Sequence, residues 1–505
     1  MKLRNNSETA SALVWTVLVI TILSLVAAEL LKVVSAKYSN VLHTATWQES
    51  LLAAESGIDL AVKELRKTLD PDPSSAWDGW TQDAAAAPTP SAAASPSATP
   101  FQRRGIKTVP NAGLAGTEMT IETSVDAPAE LRDPTNSWQY FRVRTTGTMP
   151  ITGPARANDQ KQDTRLRKMT LRWDRFLTGS ANAGPVEAPR VSRRVEAIVR
   201  PVSAFEVAVL SVDALDLTNS NIIIDSYDSR DPRKSYNGLY PAAPNDKNPD
   251  DNSNRWQKHG NIATNGQLIN AGNAFVYGDV ATNSGTVTGT ANISGVQRTD
   301  FYQTTRTITA PNWLGAINAT PTIITGTTNL AAYQKEDAAQ SRYVVSAITL
   351  SGNDTLRLKG NPDGSPTYID IYVTGNVDST GNAQLIVEPG VKARMYFAGN
   401  VKFAGNGVVN TNNQPGDLQM YGIKPPNGTS RTFELGGNAV LSAAVYAPEY
   451  DVQINNGGVK GSAYGSFVGK TVKMTGVTDL HYDEALASAG LIANYKIVSW
   501  FEDTR

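Results

Sequence analysis

An uncharged run at residues 10–28 constrains this chain more than any other feature of its 505 residues. The run is predominantly apolar and matches the roughly 20 residues that a helix needs to cross the core of a bilayer. No proline follows until Pro71, so the pattern predicts one continuous helix over 11–69. At about 1.5 Å per residue this helix would be roughly 90 Å long, and lipid would cover only about 30 Å of it. The remainder must have another role.

The second half of the predicted helix carries an apolar stripe. Its members recur at spacings of three and four residues, which places them on one helix face, and they are Trp47, Leu51, Ala54, Ile58, Ala61 and Leu65. An isolated helix is marginal in water, so we expect this face to be buried. It can pack against the chain's own globular part or against neighbouring helices in an assembly. A membrane helix with a short helical stalk is the simpler alternative.

Two segments of this helix resemble a known family. They are Ser-Ala-Leu-Val at 11–14 and Gln-Glu-Ser-Leu-Leu-Ala-Ala-Glu-Ser-Gly-Ile at 48–58. They resemble the N-terminal domain of type IV pilus assembly proteins of the PilX kind, which are minor pilins related to the pseudopilins of type II secretion. The resemblance implies that a prepilin peptidase removes a leader, with Ala10–Ser11 as the cleaved bond. It also implies that the helices of several pilin or pseudopilin subunits bundle into a filament core.

One position departs from the major pilins. They carry a glutamate five residues into the mature helix, and counting from Ser11 that position is Trp15. The resemblance therefore implies an atypical or minor subunit, such as one at a filament tip. Lys2 and Arg4 favour a cytoplasmic N-terminus in the inner membrane, with the rest of the chain periplasmic or extracellular on a filament.

Composition excludes several classes of site. The chain has no cysteine, which rules out disulfides, a thiolate nucleophile and cysteine-ligated metals. Its formal net charge is −1, so we expect no nucleic-acid partner. Arginines are frequent over 142–194 and could form a DNA- or glycan-binding patch. The outward faces of alternating strands explain them as well.

The chain changes character after the helix. Residues 70–100 are rich in alanine, proline and serine and predict a linker. Residues 101–204 contain runs at 139–146, 168–173 and 194–200 that alternate apolar and polar side chains, as half-buried strands do. Together with the helix stripe, these runs predict a pilin-like head in which the helix lies on an antiparallel sheet.

Internal repeats dominate residues 205–486. The segment 370–382 aligns with 394–406 in register, so that Tyr372 matches Tyr396 and Val377 matches Val401. A shorter repeat relates 262–265 to 280–283. Regular periods with Gly and Asn at fixed offsets are typical of stacked coils.

The repeats predict a parallel β-solenoid (β-helix) over 205–486, with 487–505 as a C-terminal cap. A β-sandwich or a propeller is the alternative, and longer alternating strands would favour it. Residues 435–486 are similar to an uncharacterised β-helical domain often found behind PilX-type N-termini. That resemblance implies architecture and not an activity.

Few residues suggest chemistry. Among the three histidines, His43 lies on the helix and His259 in a polar loop. Only His481, in the sequence His-Tyr-Asp-Glu, has neighbours suited to acid–base work, and a closing coil with a capped helix explains that cluster as well.

Three aspartates could suggest a metal. Asp225, Asp228 and Asp231 are oxygen-rich like a calcium loop but lack EF-hand spacing, and turn formation also explains them. The chain contains no nucleotide, hydrolase or zinc motif. We therefore expect no enzymatic activity, no cofactor and no metal.

The leading hypothesis is a non-enzymatic pilus-like or pseudopilus component that displays its solenoid for adhesion or filament assembly. Its expected partners are other pilin subunits, a prepilin peptidase, the inner membrane and a surface glycan or receptor. The alternative is a membrane-anchored carbohydrate-binding or carbohydrate-active β-helix protein. A self-polymerising scaffold like the bactofilins is a third hypothesis, and the spanning helix counts against it.

Overall fold

One long helix leads into two β modules in the computed structural model. The structure describes residues 7–70, 73–82, 102–110, 118–132, 138–151, 190–218, 222–241, 255–289, 292–316, 321–331, 341–437, 440–455, 461–476 and 479–503. Most of the predicted leader, the core of the predicted linker and the predicted strand at 168–173 lie outside these residues.

The elements follow one another as a helix and then many short strands. The helix α1 is Ser7–Lys67. The described strands are β1 (Gln102–Pro110), β2 (Glu118–Asp126), β3 (Phe141–Pro150), β4 (Arg190–Ser203), β5 (Val209–Asp216), β6 (Ile223–Tyr227), β7 (Ile262–Thr264), β8 (Leu268–Asn270), β9 (Phe275–Val276), β10 (Val280–Ala281), β11 (Thr286–Thr288), β12 (Asn292–Ile293), β13 (Gln297–Arg298), β14 (Thr322–Thr325), β15 (Thr328–Ala331), β16 (Arg342–Leu350), β17 (Thr355–Lys359), β18 (Thr367–Val373), β19 (Val377–Ser379), β20 (Gln384–Val387), β21 (Val391–Phe397), β22 (Val401–Phe403), β23 (Gly407–Asn410), β24 (Leu418–Gly422), β25 (Arg431–Gly436), β26 (Leu441–Asn455), β27 (Ser462–Thr475), β28 (Asp479–Asp483) and β29 (Ile492–Asp503). Short 3-10 helices lie at Pro73–Ser75, Ala129–Leu131, Asn312–Ala316, Pro415–Asp417, Pro426–Gly428 and Glu484–Ser488.

The first β module is an antiparallel sheet of five strands in the order β1-β2-β3-β4-β29. Alternate residues of β2, β3 and β4 are buried, which is the pattern of strands with one covered face. The alternating runs predicted at 139–146 and 194–200 fall largely within β3 and β4. The long helix followed by β-structure therefore fits the predicted fold class in its first part.

The covered face of this sheet packs against the second half of α1. Ala54, Ile58, Ala61 and Leu65 are buried there with valines of β2, β3 and β4. Gly57 makes the close approach possible, because an added Cβ would lie 2.5 Å from Thr123 Oγ1 and 2.8 Å from Ile121 Cγ2. The strand side has a matching glycine, Gly147, where a Cβ would lie 2.6 Å from the Ala54 backbone nitrogen. Glycines on both surfaces thus let the helix and the sheet approach each other closely.

Glu64, in the last turn of α1, fixes the segment that follows the helix. Its carboxylate is nearly buried and accepts hydrogen bonds from the Trp77 backbone N–H at 2.8 Å and from Lys67 Nζ at 2.7 Å. Arg66 Nε donates to Asn494 Oδ1 at 2.9 Å, in the last strand of the chain. The end of α1 is therefore fixed to the sheet by polar contacts as well as by its apolar face.

The second module, which we call the parallel β domain, consists of parallel strands. One sheet has 20 strands and a second has four, β15-β17-β20-β23. Their inward side chains form one apolar core that runs through the domain. The repeat alignment holds as a strand register: Tyr372 lies opposite Tyr396, and Val377 opposite Val401.

The prediction of a parallel β-solenoid with coils stacked along the chain is wrong. The strands close into a barrel-like parallel body whose spatial order departs from chain order. The first strand of the domain, β5, lies between β27, nearly the last, and β7 and β8. In the same way β6 lies between β28 and β9.

The antiparallel sheet gives the physical reason for this order. Strands β4 and β29 pair with each other, so the two ends of the parallel β domain must emerge side by side. They do: the Ala204 N–H donates to the Leu491 carbonyl at 2.8 Å, and Ser203 Oγ donates to the Ala489 carbonyl at 2.8 Å. Coils stacked in chain order would have left these ends at opposite ends of the stack. The domain is thus an insertion between two neighbouring strands.

The close helix–sheet contact predicts an unusual effect of Gly57→Ala. In an ordinary helix interior this change stabilises by up to about 1 kcal/mol. Here the new methyl group would meet Thr123 and Ile121, so we expect the free energy of unfolding to fall by about 1–3 kcal/mol. Denaturant unfolding of the full chain in detergent measures this change.

The adjacent residue offers a matched control. Ser56 is exposed, so we expect Ser56→Ala to change the free energy of unfolding by no more than about 0.5 kcal/mol. If Gly57→Ala is at least as stable as Ser56→Ala, then the close approach does not hold the helix on the sheet.

Candidate functional site

The first half of α1 is apolar, and none of the residues that the structure describes covers it. Within Val14–Lys67, a window of 18 residues has a mean hydropathy of 2.4, and none of it is buried by the described part of the chain. A helix that is apolar on all sides belongs in an apolar environment, and this one is long and apolar enough to cross a membrane. Its exposed large apolar residues are Val14, Trp15, Val17, Leu18, Val19, Ile20, Ile22, Leu23, Leu25, Val26, Leu30, Leu31, Val33, Val34, Tyr38 and Val41.

Polar groups in this half are sparse. Thr21 Oγ1 donates to the Val17 carbonyl at 2.7 Å within the helix, which satisfies the hydroxyl without water. The first charged residues after the run are Glu29 and Lys32, whose Oε1 and Nζ atoms are 3.8 Å apart. The uncharged part of the helix therefore ends at an ion pair.

The structure divides the predicted stripe. Ile58 and Leu65 lie in the core against the antiparallel sheet, and Leu51 is partly buried at its edge. Trp47 is 42% exposed, and the Arg193 guanidinium carbon lies 3.7 Å above its ring centroid. The stripe from Leu51 to Leu65 is thus covered by the chain's own antiparallel sheet and not by a neighbouring subunit. Ala10 and Ser11 belong to α1, and their processing stays a prediction.

His481 lies in a buried polar cluster. Its Nδ1 atom is 2.6 Å from Asp225 Oδ1, and Tyr240 OH donates to Asp225 Oδ2 at 2.8 Å. The Tyr240 ring stacks on the imidazole with centroids 3.6 Å apart. His481 is directly opposite Asp225 in the pairing of β28 with β6. The pair is buried and joins β28 to β6, and Tyr240 covers one face of the imidazole.

His259 forms a second polar cluster, with Glu484 and Ser226. His259 Nδ1 is 2.7 Å from Glu484 Oε1, and Ser226 Oγ donates to the same oxygen at 2.8 Å. The hydrogen bond and the negative charge of Glu484 raise the pKa of His259. Lys234 Nζ lies 3.7 Å from Glu484 Oε2. Glu484 is therefore a junction between the loop before β7, strand β6 and the 3-10 helix after β28.

The three aspartates suggested as a calcium loop do not converge. Asp225 faces His481, whereas Asp228 pairs with Arg230 at 3.0 Å and Asp231 pairs with Arg233 at 2.9 Å. Within the part of the chain that the structure describes, no group of three or more histidine, aspartate or glutamate side chains could hold a metal ion.

The arginines of the antiparallel sheet are largely paired across strands. Arg144 Nε lies 2.9 Å from Glu196 Oε2. Arg142 Nη2 lies 2.5 Å from Asp126 Oδ2, and Arg104 pairs with Glu122. These pairs neutralise much of the cationic stretch. The arginines at 165–175 lie outside the described residues.

A family described as "Domain of unknown function (DUF7305)" matches residues 297–489, which lie in the parallel β domain. No curated protein matches. Among solved structures, the competence-associated pilin ComZ from Thermus thermophilus is 12% identical, with 91% of this chain and 97% of that chain covered and a TM-score of 0.18. At that score the two chains share no demonstrated overall fold.

The two halves of α1 differ in their surroundings. The first half is long and apolar enough to cross a membrane, which fits a single membrane anchor, and the second half packs on the antiparallel sheet.

The His259–Glu484 pair predicts a small pH dependence of stability. The folded pKa of His259 is raised, so the pair stabilises the fold below the ordinary histidine pKa of about 6.5. This contribution is lost as the pH rises through the raised pKa. The His259 side chain is 60% exposed, so we expect an effect below about 1 kcal/mol.

Two histidine variants test this dependence. We expect His259→Gln to flatten the change in unfolding midpoint between about pH 5.5 and about pH 8.5. His43→Gln should retain the wild-type dependence, because His43 is exposed on α1 and forms no ion pair among the described residues. Identical pH profiles for wild type and His259→Gln would rule out the contribution of the pair.

Proposed function

We propose that this chain is a non-enzymatic, pilin-like subunit of a type IV pilus or a related pseudopilus. The observation that carries the proposal is the division of α1 into an uncovered apolar half and a half held on the antiparallel sheet. A plain anchor needs only about 20 apolar residues and has no need of a rigid helical extension. Here one unbroken helix joins the membrane segment to the folded modules.

The docked half explains how such a subunit would work. The contact of Gly57 with β2 and β3, together with Arg66 and Glu64 at the helix end, fixes the direction in which the apolar half projects. A projecting helix can reside in the lipid bilayer while the subunit is a monomer. It can then pack against equivalent helices of other subunits. Both environments are apolar, so the same surface serves in each.

Trp15 gives the finer part of the proposal. It stands where the resemblance to pilins places a glutamate in major subunits, and its side chain is 65% exposed on the helix. A large indole cannot make the ion pair that a carboxylate makes. We therefore propose a minor or tip subunit, with the parallel β domain displayed for adhesion or for initiating assembly.

Processing and orientation complete the proposal. A prepilin peptidase would cut between Ala10 and Ser11 from the cytoplasmic side, where Lys2 and Arg4 lie. The folded modules would then be periplasmic before assembly and extracellular afterwards. Both β modules follow the apolar segment, so one crossing places them on the same side of the membrane.

Intact-protein mass spectrometry on the native host tests the proposal. We expect the mature chain to begin at Ser11 in wild-type cells and to keep residues 1–10 in cells that lack the prepilin peptidase. We also expect wild-type cells, and not peptidase-deficient cells, to release the protein into the sheared filament fraction. A chain that keeps its leader in wild-type cells and never enters that fraction would be a plain anchored protein.

A further inference from the structure

A groove lies where the two β modules meet. It has a volume of about 920 Å³ and contains residues of the helix end, the last strand and the parallel β domain, among them Leu69, Ile492 and Tyr396. This volume is within the roughly 300–1,000 Å³ typical of small-molecule sites. It suits a short oligomer and not a folded partner.

Arg306 is the distinctive charge of this groove. It is half-buried, and its Nη1 donates a long hydrogen bond, 3.3 Å, to the Ile492 carbonyl. Burial lowers the pKa of this guanidinium, which is the signature of a desolvated cation. Among the described residues no carboxylate lies within ion-pair distance of Arg306. Asp70 raises its pKa only through a weaker, longer-range interaction.

The other cations of the groove are already paired. Arg394 donates two hydrogen bonds to Asp370 at 2.8 and 2.9 Å. Lys392 lies 3.8 Å from Asp417, and Arg230 lies 3.0 Å from Asp228. Arg306 therefore differs from them: it is a partly desolvated positive charge that an anionic group of a ligand could neutralise.

The segment that carries Arg306 is held in place. The Arg306 N–H donates to Tyr446 OH at 2.6 Å, and Tyr446 OH donates to the Arg306 carbonyl at 3.0 Å. The Lys424 N–H donates to the Ile308 carbonyl at 2.9 Å. A preorganised cation costs little ordering entropy when a ligand binds.

Aromatic rings and neutral polar groups make up much of the remaining lining. Tyr396 and Tyr421 are stacked, with centroids 5.1 Å apart, and Tyr368 is 63% exposed at the groove. Gln414 and Asn312 add amide donors and acceptors. Flat apolar faces stack on the C–H faces of sugar rings, and amides bind sugar hydroxyls.

We propose that this groove binds an acidic oligosaccharide, with Arg306 pairing a uronic carboxylate and Tyr368 stacking on an adjacent sugar ring. The proposal deepens the display role and rests on it for its biological setting. Binding itself needs neither leader processing nor a filament, so its failure is distinguishable from failure of the pilin proposal.

Calorimetry on the detergent-solubilised full chain tests the site. The probe is a tetramer of galacturonic acid, and a galactose tetramer of the same linkage is the neutral control. We expect the acidic tetramer to bind at least about tenfold more tightly, because one charge-assisted pair is lost with the neutral sugar. We expect binding to weaken as salt is added.

Three variants assign the residues. Arg306→Gln should weaken binding of the acidic tetramer about tenfold or more and remove the preference over the neutral tetramer. Tyr368→Ala, an exposed position that should not disturb folding, should weaken both sugars several-fold. Lys402→Gln, an exposed cation outside the groove, should bind as wild type does.

Specific outcomes overturn the proposal. They are no binding of the acidic tetramer by wild type, wild-type affinity in Arg306→Gln, or equal affinity for a hexamer of glutamate or of deoxythymidylate. Should Arg306→Gln fail to fold, Arg306→Lys and Tyr368→Ala decide instead: wild-type affinity in both would also overturn it.

Discussion

The close contact of α1 with the antiparallel sheet is the interaction on which the rest of the structure depends. Gly57 on the helix lies against side chains of β2 and β3, and Gly147 on β3 lies against the backbone of α1, at distances that no Cβ would allow. This contact covers one half of a 61-residue helix and leaves the other half with no cover from the described chain. The apolar half must therefore be covered by lipid or by other helices. The membrane anchor and the proposed assembly surface both follow from this packing.

A second constraint joins the sheet to the parallel β domain. Because β4 and β29 pair, the domain between them leaves and returns at neighbouring points. Phe205, at the start of the domain, is fully buried, and its carbonyl accepts a hydrogen bond from Tyr482 OH at 2.8 Å. Two adjacent, hydrogen-bonded connections resist bending better than one linker. The parallel β domain therefore keeps a fixed orientation relative to α1. The groove with Arg306 lies where the domain joins the sheet.

Much of this arrangement could be predicted from local sequence pattern. The spacing of Ile58 and Leu65 identifies a buried helix face, and the register of Val377 with Val401 follows from a repeat. The place of β5 and of β29 could not be predicted, because their partners lie hundreds of residues away and no local period encodes such a pairing. The groove could not be predicted for the same reason, because Arg306 and Ile492 meet only in the folded chain.

One helix occupies two environments, and a pair of matched cysteine variants tests this directly. The chain has no cysteine, and Leu23 and Leu52 are 61% and 60% exposed in the protein alone. A membrane-impermeant maleimide applied to opened cell membranes should label Leu52→Cys and leave Leu23→Cys unlabelled until detergent dissolves the bilayer. Equal labelling rates at both positions before detergent is added would contradict the account.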